Sequence, residues 1–250
     1  CIRDRLSAIA TGEHRVGIAF GEAIARRNQA SVNVKDGKIE GTSLFAFDAD
    51  ADSYLVADQS KNMFLVSADD DGLSRSNLTT VDRTRRTVEL PYSGASAKPV
   101  STDSSLFDRT LDIGRVMLAA DTLGAAQSML DQAVEYAKQR EQFNRPIASF
   151  QAVKHMCAEM AASLEPCRAM VWFAAHALSD VPEEARLTAC HTKAHLAEVG
   201  QFVSRTATEV HGGMGFTDLL GLHYWFKRIG ANRHWLGAPE FVRSEAAILQ

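Results

Sequence analysis

The sequence predicts an α+β protein: a small antiparallel β-barrel or sandwich over residues 1–100, then a four-helix up-down bundle over residues 101–250. Three observations carry this. Before residue 100, short runs of apolar and β-forming residues alternate with turn signals. After it, apolar residues recur at helical spacing over long runs. The connections between those runs are mostly short, which makes neighbouring helices antiparallel.

In chain order, Val16–Phe20 is an apolar strand candidate, and Gln29–Val34 alternates as a half-buried strand does. Asp36-Gly37-Lys38 is a hairpin signal. Ser53–Ala57 and Met63–Ser67 are runs of β-formers. Asp69-Asp70-Asp71-Gly72 reads as a solvated turn, because it lacks the Glu that closes a calcium loop. Thr87–Leu90 is a further strand, closed by Pro91. The first helix spans Asp108–Arg140 and stops at Asn144-Arg145-Pro146. The second spans Ser149–Ser179, with a bend expected at Pro166. Pro182-Glu183-Glu184 opens the third, which runs to Val210 and breaks at His211-Gly212-Gly213-Met214-Gly215. A fourth spans about Leu222–Asn232, and a short last helix starts at Pro239.

The 250 residues, 46% of them hydrophobic, suffice for a sizeable core. The net charge of −4 does not suggest nucleic acid or an anionic membrane as partner. Arg83, Arg85 and Arg86 read as a solvated turn or a salt-bridged loop. No apolar run is long enough for a membrane span, and no signal peptide is visible. Cys1, Cys157, Cys167 and Cys190 show no zinc-ligand spacing, and no metal is expected. Three of them sit in apolar helical stretches, which fits a reducing, cytoplasmic compartment. The chain opens Cys1-Ile2-Arg3 rather than with Met, so a preceding portion is expected.

Two motifs carry chemistry. Tyr136-Ala137-Lys138-Gln139-Arg140-Glu141-Gln142-Phe143-Asn144-Arg145-Pro146-Ile147 ends one helix, and Ser149-Phe150-Gln151 opens the next. Alone, Arg140 reads as a cation at a helix C-terminus and Gln151 as a first-turn polar residue. Thr208-Glu209-Val210-His211-Gly212-Gly213-Met214-Gly215-Phe216 is the second. Its glycines permit positive φ and close backbone approach, so its amides could hold a phosphate, although a plain helix C-cap is the default. His211 reads as a helix-end polar residue without a catalytic role.

In this order and spacing the motifs resemble the C-terminal bundle of acyl-CoA dehydrogenases, which reads Arg-x-x-Phe-Gly-x-Pro-Ile, Phe-Gln, then Gln-x-x-Gly-Gly-x-Gly-Phe. Gly37–Asp52 and Asp82–Arg86 resemble that family's middle β-domain, and 1–13 the exit of its N-terminal helical domain. The resemblance implies α,β-dehydrogenation of an acyl-CoA thioester: a glutamate removes the α proton and FAD takes the β hydrogen as hydride. It implies an FAD shared across a subunit interface, with the adenosine half on Arg140, Gln142, Phe143, Gln151, Glu209, Gly212 and Gly213. Glu209 departs from the family's Gln, and a carboxylate near pyrophosphate needs an offsetting cation.

The implied ring half and base depart further. The family's Thr-Glu-Pro-Gly-x-Gly-Ser-type loop falls on Gly21–Arg27, and its Trp-Ile-Thr segment falls on Phe45-Ala46-Phe47, where Phe47 replaces a flavin-bonding Thr. Its two alternative base positions fall on Leu236 and Gly114, neither of which takes a proton; Glu240 is the nearest substitute. No catalytic residue is therefore assigned. The expected role is a non-catalytic subunit of a heterotetrameric acyl-CoA dehydrogenase of lipid β-oxidation, whose related partner supplies the ring site and the glutamate. Such paired members act on bulky substrates, including steroid side-chain CoA esters. A homomeric dehydrogenase with a relocated base, or a flavin-free scaffold, are the alternatives.

Overall fold

The computed structural model describes residues 5–25 and 30–249. Cys1, Arg26, Arg27 and Gln29, on which some expectations fall, lie outside them. The chain divides into two compact units, Cys1–Thr110 and Leu111–Gln250.

The first unit is one curled, mostly antiparallel sheet. After α1 (Leu6–Thr11) come β1 (Val16–Ala19), α2 (Gly21–Ile24), β2 (Val32–Lys35), β3 (Lys38–Phe47), β4 (Ser53–Ala57), β5 (Met63–Ser67), β6 (Ser76–Leu78) and β7 (Thr87–Ser101). The strand order is β1-β4-β5-β7-β3-β2, with β6 also on β7. The expected hairpin forms: Asp36 (φ 50°) and Gly37 (φ 73°) make a type I′ turn, and Lys35 pairs Lys38. β1 reaches β3 face to face. A Cβ on Gly17 would stand 2.5 Å from the Phe47 carbonyl, so only glycine admits this curl. Ile39, Ala46, Tyr54, Val56, Val66, Val88 and Leu90 form the buried core.

Two expectations change here. The sheet is not wholly antiparallel, because β1 runs parallel to β4 across the excursion through β2 and β3. Nor does Pro91 close a strand, since β7 continues to Ser101. The Pro91 carbonyl accepts Ser74 N–H, so its nitrogen points to the same side and away from β3. The missing donor therefore costs no β3 ladder bond. The acidic turn is built as expected: Asp70 takes Gly72 N–H and Ser96 N–H through its two oxygens. Arg85 and Arg86 pair with Asp82 and Asp50, which makes their segment a salt-bridged loop.

The second unit is helical. α3 (Ser104–Gln139) is capped by Asp103, whose carboxylate accepts Ser105 N–H at 2.8 Å. α4 (Gln151–Asp180) continues through Pro166. α5 (Pro182–His211) starts with Pro at its first position and Glu183 and Glu184 in its first turn. α6 (Leu222–His234) and α7 (Pro239–Ile248) follow. α5 is the central helix, and α4, α6 and α7 pack on it. The core includes Met129, Met160, Leu164, Leu196, Val203 and Ile229. Among the described residues no helix is long and apolar enough to cross a membrane, and no His, Cys, Asp or Glu cluster could hold a metal.

Candidate functional site

Between α3 and α4 the chain makes a small hairpin. β8 (Glu141–Gln142) pairs with β9 (Arg145–Pro146), and Ile147 N–H bonds the Arg140 carbonyl. Its two-residue turn has Phe143 at φ 53° and Asn144 at φ 59°. Asn tolerates that region, whereas a bulky Phe is strained there. Phe143 is nevertheless 87% exposed. Its ring meets Phe150 edge-on at 6.1 Å, and Arg145 lies over Phe150 at 4.0 Å. Gln142 Nε2 bonds back to the Glu141 carbonyl, and Gln151 is exposed at the first turn of α4. Arg140 is exposed, and its guanidinium has no ion pair among the described residues.

The glycine motif lies beside this hairpin. His211 is buried at the end of α5, donates Nδ1–H to the Ala207 carbonyl at 2.7 Å and stacks on Tyr136 at 4.5 Å. That stack joins the end of α3 to the end of α5. Gly212 has φ 60°, and a Cβ at Gly212 or Gly213 would meet open space, so their backbone is approachable. Gly215 is different, because its Cβ would stand 2.8 Å from the Thr208 carbonyl. Glu209, Phe216 and Leu219 are exposed at the same end. The structure thus brings the seven predicted residues to one end of the helical unit.

Leu236 and Gly114 turn out to touch. A Cβ on Gly114 would stand 2.6 Å from Leu236 Cδ1, so the Leu side chain fills the space above the glycine. Leu236 is itself at φ 56°. Two buried cations that the sequence reading missed fix this segment. Arg115, fully buried, donates Nε–H to the Leu236 carbonyl at 3.0 Å and pairs with Glu245 and Asp112. Lys193 Nζ reaches the carbonyls of Asn232, Arg233 and Gly237 at 2.9, 3.2 and 3.3 Å. Burial, aided by the charges of Arg115 and Arg233, brings the Lys193 pKa down to about 7. Burial also pushes the neighbouring Cys190 up to about 11. Helical spacing could have flagged both cations, since each falls on the inward stripe of its helix. Glu240 is exposed and paired with Arg233 at 2.9 Å.

In the first unit, Glu22 is buried, and its Oε1 accepts the Leu44 N–H at 2.9 Å. That amide lies where β3 slips register against β7, between Ser43 and Ala46. Phe45 and Phe47 flank Ala46 on this stretch.

Residues 105–247 match the family described as acyl-CoA dehydrogenase, C-terminal domain. The chain belongs to the acyl-CoA dehydrogenase family. It is 34% identical over 166 residues to acyl-CoA dehydrogenase IpdE2 of Mycobacterium tuberculosis, covering 66% of this chain and 48% of the relative. It is 43% identical over 108 residues to 3-(aryl)acrylate reductase of Clostridium sporogenes, covering 43% of this chain and 28% of the relative. The chain therefore spans less than half the length of each. Among solved structures, a variant of the Tcur3481–Tcur3483 steroid ACAD has TM-score 0.88 at 27% identity, over 99% of this chain and 70% of that one.

The family is FAD-dependent. The hairpin end of the helical unit has the chemistry for an anionic aromatic group: an unspent guanidinium, open glycine backbone and an exposed ring. The β3 stretch suits a flavin ring poorly: its Leu44 amide is taken by Glu22, and the Phe47 side chain carries no hydrogen-bonding atom.

Proposed function

We propose that this chain is the non-catalytic subunit of a heteromeric, cytoplasmic acyl-CoA dehydrogenase that introduces an α,β double bond into an acyl-CoA thioester. Residues 1–100 act as the middle β-domain, and 101–250 as the bundle for FAD adenosine binding and oligomerisation. FAD, when bound, supplies the hydride acceptor. Arg140 offsets pyrophosphate charge, the Gly212–Gly213 amides orient it, and the exposed Phe143 ring offers a stacking surface. A related subunit contributes the flavin-ring site and the glutamate base. One observation carries this reading: Leu236 packs on Gly114, so both alternative base positions are hydrocarbon, while the hairpin end is kept open. The similar steroid ACAD is named as a pair, which favours two related chains and a bulky acyl group.

The test is Arg140→Ala in the purified complex, with flavin retention followed after dilution. A charge-assisted phosphate contact is worth about 1.5–3 kcal/mol, so retention should weaken by one to two decades. Unchanged retention would contradict the assignment.

A further inference from the structure

We propose that Glu209 is a specificity residue of the adenosine site: its carboxylate accepts hydrogen bonds from the free ribose diol of an ADP group and repels an ADP group phosphorylated at the ribose 3′ position. The inference rests on the FAD reading above and deepens it. It starts from a carboxylate that stands where the fold disfavours one. α5 carries the acidic residues Glu183, Glu184, Glu198 and Glu209. Glu183 and Glu184 lie in the first turn, where the helix dipole favours an anion. Glu198 is held by Arg243. Glu209 lies in the last turn, three residues before Gly212, where the same dipole disfavours it. It is exposed, and among the described residues its carboxylate has no ion pair and no hydrogen bond. Arg205, one turn earlier and also exposed, stands in the less favourable order for an i,i+4 pair and does not make one. Glu209 thus costs α5 stability and leaves its acceptor atoms open at the end that also carries Arg140, Gly213 and Phe143.

The chemistry of the ligand decides what such a carboxylate can do. An ionised carboxylate only accepts hydrogen bonds, and its two oxygens match two neighbouring donors. The phosphates of ADP are acceptors and anions, so they repel it. The 2′- and 3′-hydroxyls of the ribose are neighbouring donors, so they suit it. The phosphates fall to the unspent guanidinium of Arg140. Two ADP-bearing molecules meet a protein of the proposed activity. FAD has a free ribose diol, and an acyl-CoA carries a phosphate on the 3′-hydroxyl. A guanidinium, an open glycine backbone and an exposed ring attract both, and the more highly charged one is held no less well. Only an opposed charge separates them. Glu209 supplies it, because a 3′-phosphate both removes a donor from the diol and sets like charges against each other.

The test is rebinding of FAD to the deflavinated complex, in competition with ADP or with 3′-phospho-ADP, for wild type, Glu209→Gln and Arg140→Ala. In wild type, ADP should compete about tenfold better than 3′-phospho-ADP, a preference that shrinks as salt is added. Glu209→Gln should melt no lower than wild type and bring the two competitors close to equal. Arg140→Ala should weaken both alike and keep their ratio. Equal competition in wild type overturns the proposal. So does a preference that survives Glu209→Gln, and if Arg140→Ala still weakens both nucleotides, the FAD reading stands without it. If neither nucleotide competes, or Arg140→Ala changes neither, the FAD reading itself fails and takes this inference with it.

Discussion

At Leu236, one of the two proposed base positions, the chain holds hydrocarbon, and its carbonyl is gripped by Arg115. Leu236→Ala should leave turnover by the complex unchanged and cost about 2 kcal/mol, the low end for Leu→Ala because the side chain is only partly buried. Steady-state rates and a melting curve check this, and a large rate loss at normal stability would mean that proton transfer depends on the site. Lys193 makes a separate prediction. Its folded pKa, about 7, lies below the unfolded value of about 10.4. From pH 7 upward the unfolded chain therefore binds more protons, and stability rises with pH, by at most about 1.4 kcal/mol per unit. The rise should flatten above about pH 8.5, where unfolded cysteines ionise while Cys190, held up to about 11, keeps its proton. Denaturant titrations from pH 7 to 8.5 should show the slope in wild type and lose it in Lys193→Met. Leu236 and Gly114 could be marked from the motif count alone. Their contact could not, because it joins positions far apart in sequence, and helical spacing puts Lys193 on the inward stripe of α5 without naming the carbonyls it reaches.

The β8–β9 hairpin is the element with the clearest trade between stability and function. Phe143 sits at positive φ and is almost wholly exposed, so it costs the fold and gains it little. Replacing Phe143-Asn144 by Asn-Gly supplies the preferred type I′ turn. The variant should be more stable by about 1 kcal/mol, a melting rise of roughly 2–4 °C, yet hold flavin less well in the complex. A more stable variant with undiminished flavin would remove Phe143 from the cofactor site. Helices were the legible elements. Pro182, Pro239 and Gly212 mark ends that the structure places at or within a residue of the expected positions. Strands were less so. β3 lacks clean alternation because Gly41, Thr42 and Ser43 interrupt it, and the Pro91 rule fails because a strand can point its nitrogen away from its partner.

For the whole molecule, the α+β class and the family were legible, since they rest on local periodicity and two motifs in order. The parallel β1–β4 pairing was not, because it depends on which strands meet after a long excursion. The proposed division of labour joins one open hairpin end to a hydrocarbon-filled base position and a β3 amide already occupied by Glu22. The most direct measurement is flavin bound per chain, by visible absorbance, for the isolated chain and for the purified complex. The account predicts a colourless isolated chain and one FAD for each pair of unlike chains. One FAD per chain in the isolated protein would contradict it.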